Sequence, residues 1–456
     1  MRRYLIFVSV GLSLLMWSID STAVAVALPS FMFDFGTNVL WAGWTISIYM
    51  VAITSVMPLA GKLSDSFGSK KVFLISLILF TASSLSCGLA PNIYALIAFR
   101  FLQGVGGASF LPTAAGIVTN QFPEHREKAI GLFSSIFPIG GIIGPNLGGW
   151  IVSQYSWRYI FYINLPIGIV LIVSILILLN DSKVFSQRHI DFVGASFFFG
   201  AILFLMLGLN LISENFSVSS LLLTTLFWGS TLTFIFLFLR HEKKDPNPIM
   251  EIALLKARPF MAANLYNVVL GVGVLGIYSF IPYYGRSVLK LSTLASGMIL
   301  TPSSLGNILA ATITSFLLRR WGYRWPMVLG LIVLSVTTIL LDQGFQPLRM
   351  IGTHFGVVES LIFIVMLSGI GIGIVFPASN NACIELMPEK VATITGLRGM
   401  FRSVGGALGI SLITVILHFS STSANGFRTI FISFGLGLLF AIPLVFFMPS
   451  GKRRWR

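Results

Sequence analysis

Four charged side chains stand inside long apolar segments of the sequence, where charged residues are rare. Asp20 precedes Pro29 by nine residues in the first segment, Arg100 lies in a later one, and Arg398 and Arg402 share a third. At a helical rise of about 1.5 Å per residue, Asp20 lies about 14 Å from Pro29, near the middle of a hydrocarbon layer roughly 30 Å thick. Because a charge is costly at that depth, we expect Asp20 to be a proton or substrate site; a structural hydrogen bond between helices is the alternative.

The three arginines are candidate partners for this carboxylate. Arg100 lies about eight residues from the outer start of its segment, at nearly the depth of Asp20, so the two side chains could meet. Arg402 lies near mid-membrane if its helix begins around Val391, and Arg398 is on the same helix face. We assign Asp20, Arg100 and Arg402 to proton coupling and Arg398 to the substrate cavity. The alternative is structural, with the arginines binding carbonyls or helix ends and Arg398 extending to the inner surface.

An acid beside a cation predicts a coupling device. A buried carboxylate releases its proton more readily when a cation is adjacent and holds it when that cation is drawn away. We expect Asp20 to take up a proton from outside, to break its ion pair with Arg100 or Arg402, and to release the proton inside as substrate binds. The sequence carries no nucleotide-binding loop, nucleophile and base pair or metal-ligand spacing, so we expect no enzyme activity, no cofactor and no metal.

The elements that must position these charges are membrane helices. Of 456 residues, 55% are hydrophobic and 10% charged, which predicts an all-α polytopic membrane protein. The first segment is too long for a cleaved leader, so we expect it to stay in the membrane. Fourteen helix-length apolar segments can be counted: 4–30, 40–60, 72–90, 93–119, 128–153, 158–180, 191–213, 219–240, 259–285, 293–318, 325–342, 356–384, 391–419 and 427–448.

The net charge of +15 follows the predicted loops. Of the 30 Lys and Arg residues, 22 fall in the inner loops and tails and five in the outer loops if the N-terminus is cytoplasmic. This asymmetry predicts cytoplasmic termini, and the basic clusters suit an anionic lipid leaflet. We therefore expect a multi-pass protein of the plasma membrane, the inner membrane of a bacterium, with membrane lipid and no nucleic acid as partner.

The chain repeats itself at a constant offset in residue number. The same shift maps Pro123-Glu124, Gly140-Gly141 and Gly144 onto Pro388-Glu389, Gly405-Gly406 and Gly409. Parallel repeats with a binding site between them are typical of secondary transporters. We predict two pseudo-symmetric six-helix bundles, at 1–180 and 259–456, and an inserted two-helix hairpin with its flanking loops at 181–258.

Two glycine-containing motifs are candidate gates. The loop from Gly61 to Lys71 contains Asp65, which could cap a helix or pair with a basic neighbour, and Gly68, which permits a tight turn. Small residues four apart allow close helix packing, and an internal proline can bend a helix, so the second motif is either a gate or packing alone. Its residues are Gly140, Gly144, Pro145 and Gly148.

These motifs resemble those of the major facilitator superfamily. The loop at 61–71, the run Arg100 to Ala108, the glycine row of the fifth segment and residues 19–29 are each similar to a motif of that family. The segment Trp157 to Gly168 looks like one typical of its fourteen-helix drug:proton antiporters, the EmrB/QacA type. The resemblance implies export, with the glycine row as a gate. Ser66, Ser69 and Ala25 depart from the family pattern, so gating there could be tuned differently.

Together, the buried charges, the internal repeat and the motifs predict proton-coupled efflux of hydrophobic or amphipathic compounds by alternating access. With one acid and three arginines at depth, we expect a neutral or anionic amphipathic substrate, while monovalent cations stay possible through Asp20. Trp17, Tyr49, Phe137 and Arg398 are the candidate cavity residues. An exporter of an endogenous lipid or anionic metabolite is the second interpretation. A receptor or assembly protein on the same scaffold is a third, and it would need no titratable Asp20.

Overall fold

The chain folds almost entirely into helices. A computed structural model describes residues 2–37, 39–134, 136–180, 191–214, 218–244, 256–291, 298–343, 349–350, 353–354 and 357–451. The α-helices are α1 (Arg2–Ala23), α2 (Leu28–Phe35), α3 (Val39–Phe67), α4 (Ser69–Gly88), α5 (Ile93–Gly107), α6 (Phe110–Gln121), α7 (Arg126–Ser134), α8 (Ile136–Gln154), α9 (Arg158–Tyr162), α10 (Asn164–Leu178), α11 (Phe192–Glu214), α12 (Val218–Glu242), α13 (Arg258–Leu270), α14 (Ile277–Ser287), α15 (Thr301–Trp321), α16 (Arg324–Leu340), α17 (Val357–Leu386), α18 (Val391–Phe419), α19 (Ser423–Leu439) and α20 (Ile442–Phe447).

Short elements of other kinds join these helices. Three 3₁₀ turns cover Val24–Ala27, Pro123–His125 and Leu341–Gln343, and a π-helical turn covers Gly271–Gly276 between α13 and α14. Two-residue strands, β1 (Arg349–Met350) and β2 (Thr353–His354), pair antiparallel in the connection from α16 to α17. The all-α prediction therefore holds for the membrane helices, and this hairpin is the exception.

Eleven helical stretches of the described residues are long and apolar enough to cross a membrane. They coincide with eleven of the predicted segments, which supports a multi-pass membrane protein. Two further predicted segments correspond to the shorter apolar helices Val193–Leu209 and Arg324–Leu340. The remaining one overlaps α15, which is not among the eleven. The count of fourteen spans stays a prediction.

The internal repeat appears in the helix boundaries. Helix α6 ends at Gln121 and α17 at Leu386, and α8 ends at Gln154 and α18 at Phe419, so both pairs of ends are related by the offset of the sequence repeat. Upstream of α17 the spacing is shorter, because the connection from α16 to α17 is longer than the one from α4 to α5. The tight turns agree as well: Gly68 (φ 93°) and Gly322 (φ 71°) both have the positive φ that glycine tolerates best.

Contacts divide the chain into two compact units. One comprises Met1–Ala129, Ile139–Leu254 and Met387–Met400, and the other Ile130–Pro138, Leu255–Leu386 and Phe401–Arg456. The division at 180 and 258 stays a prediction.

Each unit has its own aromatic and aliphatic core. In the first, Phe31, Trp157 and Phe161 pack with residues of α1, α5 and α8. In the second, Tyr284 and Phe427 pack with residues of α16, α17 and α18. These cores hold the helices that carry the predicted site residues.

Candidate functional site

Asp20 and Arg100 form a buried ion pair in the first unit. Asp20 is 1% exposed and Arg100 is 0% exposed. The Arg100 Nη1 donates to Asp20 Oδ2 at 2.8 Å, and its Nε donates to the Thr45 carbonyl at 3.2 Å. The guanidinium carbon lies 3.7 Å from the centroid of the Tyr49 ring. The structure thus brings together the acid and the arginine that the sequence predicts to lie at nearly the same depth in the membrane. Their role in coupling stays a prediction.

Two neutral amides complete the surroundings of the carboxylate. Asp20 Oδ1 accepts from Gln103 Nε2 at 3.0 Å and from Asn164 Nδ2 at 2.9 Å. Gln103 Oε1 in turn accepts from Arg100 Nη1 at 2.7 Å. The carboxylate therefore receives three N–H donors, and each of its oxygens has a partner. Hydrogen bonds from a cation and from amides stabilise the charged form of a carboxylate.

Gln103 and Asn164 contact Asp20 but are not among the site residues predicted from the sequence. Both are uncharged, so an argument based on the cost of buried charge passes over them. A signal was present, because Gln103 lies one turn after Arg100 and Asn164 lies in the segment Trp157 to Gly168. Neither position by itself says that its side chain reaches Asp20.

Local helix features place the members of this network. Helix α1 continues to Ala23 and changes to a 3₁₀ turn just beyond Asp20, before the proline of α2. Arg100 and Gln103 are three residues apart in α5 and so share one face. Asn164 is the first residue of α10, and α5 begins after Asn92, whose side chain accepts from the Ala95 N–H at 2.9 Å.

Asp65 binds the start of a helix from the second repeat. Its Oδ2 accepts from the Thr393 backbone N–H at 2.8 Å and from the Thr393 hydroxyl at 2.7 Å. Thr393 is the third residue of α18, and the first N–H groups of a helix have no partner within it. Gly61 lies directly against the Ala392 carbonyl, where a Cβ would meet backbone atoms. The predicted capping role of Asp65 thus has a concrete partner, while gating stays a prediction.

The glycine row of α8 packs against α1. A Cβ at Gly140 would meet Ser18, one at Gly144 would meet Thr22, and one at Gly148 would lie 3.0 Å from Ala23. Pro145 lies inside the same helix.

The contact of the glycine row recurs in the second unit. Gly405 lies against Val268, and Gly409 against Val272. These two glycines are the counterparts of Gly140 and Gly144 in the sequence repeat. Close small-residue packing is therefore built twice, and a gate role stays a prediction.

The remaining predicted residues are distributed over both units. Arg402 belongs to the second unit, and its guanidinium carbon lies 5.0 Å from the centroid of the Phe376 ring. Arg398 belongs to the first unit and is 3% exposed. Trp17 is buried in α1 and packs beside Gly107, where an added Cβ would lie 3.1 Å from the Trp17 Cδ1. Phe137 lies in α8, and its side chain is outside the described residues.

No metal site accompanies this network in the part of the chain that the structure describes. There, no group of three His, Cys, Asp or Glu side chains could hold an ion. The two cysteines, Cys87 and Cys383, are both buried. The contacts of Asp20 in the described residues are an ion pair with Arg100 and hydrogen bonds from Gln103 and Asn164.

Repeated membrane helices with a buried ion pair define a class, that of polytopic helical membrane proteins with an internal repeat. The chain belongs to the Major Facilitator Superfamily, a family of membrane transporters whose sequence model matches residues 6–410 and 295–456. Members of this family are generally not enzymes.

Three curated relatives come from bacteria. "Multidrug resistance protein 3" of Bacillus subtilis is 32% identical over 90% of this chain and 79% of its own length. "Multidrug transporter protein MdtP" of the same organism is 29% identical over 91% of this chain and 76% of its own length. "Riboflavin transporter RibZ" of Clostridioides difficile is 26% identical over 94% of this chain and 91% of its own length.

A solved structure agrees with the fold. The crystal structure of the human organic anion transporter MFSD10 (TETRAN) matches with a TM-score of 0.69. The match covers 97% of this chain and 98% of that chain at 14% sequence identity. At that identity the likeness concerns the fold alone.

Proposed function

We propose that the protein exports hydrophobic or amphipathic compounds in exchange for protons, by alternating access. The observation that carries the proposal is the buried ion pair between Asp20 of α1 and Arg100 of α5, with three donors on the carboxylate. A charge in the hydrocarbon region is expensive, and the chain retains two of them in contact. The relatives named as a multidrug transporter protein and a multidrug resistance protein support a drug-like substrate class.

The proposed mechanism alternates the partners of Asp20. With Arg100 in place, the carboxylate is ion-paired and each of its oxygens accepts a hydrogen bond. Proton uptake from outside removes its charge, weakens the pair with Arg100 and allows the site to reopen. Substrate binding on the inner side then restores the charged carboxylate and releases the proton. The membrane potential contributes about 2.3 kcal/mol per elementary charge per 100 mV.

Further parts of the proposal concern regions beyond this pair. Arg402 serves as a second partner in the coupling cycle. Trp17, Tyr49, Phe137 and Arg398 line the substrate cavity. We also propose that the chain belongs to the fourteen-helix EmrB/QacA branch and has both termini in the cytoplasm of a bacterial cell.

The gating proposal rests on two close contacts. Asp65 holds the start of α18, and its release would allow that helix to move from α3. The glycine row of α8 provides a smooth surface against α1, so that the two helices can slide or bend without side-chain obstruction. Pro145 supplies the bend by removing a backbone hydrogen bond.

A second candidate is the export of an endogenous lipid or anionic metabolite. Arg398 and Arg402 favour it, since they lie four residues apart on α18 and add positive charge to that helix. A receptor or assembly protein is the third candidate, and it would require no proton release at all. The charge of the compounds that elicit proton release separates the first two.

The test is proton release from purified protein in detergent on addition of substrate. Wild type and Asp20→Asn are compared over a panel of cationic, neutral and anionic amphiphiles in weak buffer with a pH indicator. We expect release from the wild type and none from Asp20→Asn. Asp34→Asn is the matched control, because Asp34 is a partly exposed carboxylate bound to Trp157 and Arg158 instead.

Two results would contradict the proposal. Proton release that survives in Asp20→Asn would show that another group carries the proton. An absence of release with every compound, in protein that binds those compounds, would favour a non-transporting role.

A further inference from the structure

We propose that Asn164 is a positioning residue that holds Asp20 in its charged form and thereby sets the pH range of coupling. The inference rests on the proposed function, since it assumes that Asp20 carries the proton. It concerns a neutral side chain of α10 that touches the coupling acid and is itself 1% exposed. Arg100 supplies the opposite charge, and Asn164 supplies a fixed dipole.

The hydrogen-bond directions around Asn164 follow from one backbone carbonyl. The Phe161 carbonyl can only accept, and the Ser84 hydroxyl donates to it at 2.9 Å. Having used its single proton, Ser84 Oγ accepts from Asn164 Nδ2 at 3.0 Å. The same Nδ2 donates its other hydrogen to Asp20 Oδ1 at 2.9 Å. Both hydrogens of the amide are thus assigned, and Asn164 faces Asp20 as a donor.

The opposite orientation of the amide is unfavourable on both sides. A flipped Asn164 would direct its carbonyl oxygen at the Asp20 carboxylate, where two acceptors would face each other. Ser84 would also have to turn its proton from the Phe161 carbonyl to the flipped oxygen. Since Ser84 is fully buried, water cannot readily replace the lost partner of that carbonyl. The row of hydrogen bonds from the Phe161 carbonyl through Ser84 and Asn164 to Asp20 therefore favours one orientation of the Asn164 amide. In that orientation the amide donates to Asp20 and stabilises a negative charge on it.

Other titratable groups also surround Asp20 and must be separated from this effect. Arg100 approaches from α5, Tyr49 from α3 and Cys87 from α4. The Arg100 guanidinium lies over the Tyr49 ring, and Cys87 Sγ lies 3.7 Å from Gln103 Oε1. Substitution of Asn164 leaves all three in the sequence. A change in the pH dependence of the variant would therefore report the loss of the amide donor.

The experiment measures substrate-driven proton release across a pH series. Proton release falls at high pH, because Asp20 has then lost its proton before substrate is added. In Asn164→Leu the carboxylate loses one of its three donors, so we expect the midpoint of proton release to move upward by about one pH unit. Ser84→Ala should shift the midpoint in the same direction by less, because it frees the amide without removing it.

The matched control is Asn264→Leu. Asn264 is also 1% exposed, but its Nδ2 donates to the Phe260 carbonyl of its own helix. A control midpoint equal to that of the wild type would assign the shift to the contact with Asp20. An equal shift in the control would overturn the assignment, because any loss of a buried amide would then suffice.

The outcomes separate this inference from the proposed function. If the wild type releases protons through Asp20 and both Asn164→Leu and Ser84→Ala keep its midpoint, the role of Asn164 is wrong and the coupling mechanism stands. If Asp20→Asn releases protons like the wild type, the coupling mechanism fails first. If Asn164→Leu does not fold, Ser84→Ala alone decides, and an unchanged midpoint in that variant overturns the inference.

Discussion

The contact between Asp65 and Thr393 allows a quantitative prediction. Asp65 Oδ2 accepts two hydrogen bonds from Thr393, one from the backbone and one from the hydroxyl. A hydrogen bond to a charged group contributes about 1.5–3 kcal/mol, and Asp65→Asn keeps one acceptor oxygen while it removes the charge. We therefore expect Asp65→Asn to weaken the contact by about 1.4 kcal/mol, which increases the population with α18 detached about tenfold.

A cysteine at position 392 reports this population. Ala392 is 0% exposed and lies beside Gly61, so Ala392→Cys should react with a water-soluble maleimide only when α18 moves from α3. The native Cys87 and Cys383 are buried and contribute little labelling. The rate is compared between Ala392→Cys alone and Ala392→Cys with Asp65→Asn, so that any disturbance by the cysteine cancels. We expect a rate about tenfold higher in the double variant.

Either of two results would contradict this prediction. An unchanged labelling rate in the Asp65→Asn background would mean that this carboxylate does not hold the start of α18. An equal increase caused by Asp34→Asn, whose carboxylate binds Trp157 and Arg158, would mean that loss of any acid loosens the protein.

Three further predictions concern stability, measured as thermal unfolding in detergent. Arg100→Gln leaves the buried Asp20 without its cation and should destabilise by about 3–5 kcal/mol, whereas adding Asp20→Asn should recover most of the loss. Gly144→Val should destabilise by about 1–3 kcal/mol or more because α1 occupies the space, while Gly43→Ala, with nothing within 4 Å, should be neutral or stabilising. Gly68→Ala should lower stability by about 1 kcal/mol because its φ is 93°.

Much of the fold could be predicted because the membrane constrains it strongly. Every long apolar segment counted in the sequence coincides at least in part with a described helix, since a backbone in lipid must satisfy its own hydrogen bonds. The constant offset of the sequence repeat predicts the ends of α6, α8, α17 and α18 in pairs. The π-helical turn Gly271–Gly276 could not be predicted, because its wider hydrogen bonding depends on contacts with α18 and leaves no pattern in composition.

The candidate site was predictable where charge determined it. Depth along the helices pointed to a contact of Asp20 with Arg100, and loop position suggested that Asp65 could cap a helix. The capped residue, Thr393, lies 328 positions from Asp65 along the chain, so its identity follows from tertiary packing alone. The contact of Asn164 with Asp20 could not be predicted for a different reason. A neutral amide in a membrane helix usually donates to the backbone of its own helix, as Asn264 does.

Among the eleven described spans, the one formed by α12 has the smallest buried share. In an apolar stretch of 18 residues in this helix, only 17% of the residues are buried, and Leu222, Leu232 and Phe236 are more than half exposed. Lipid tails adapt to any side-chain shape, so one apolar residue serves there about as well as another. Among descendants of this chain, α12 should therefore accumulate substitutions quickly while conserving hydrophobicity, and the glycines of α8 should accumulate almost none.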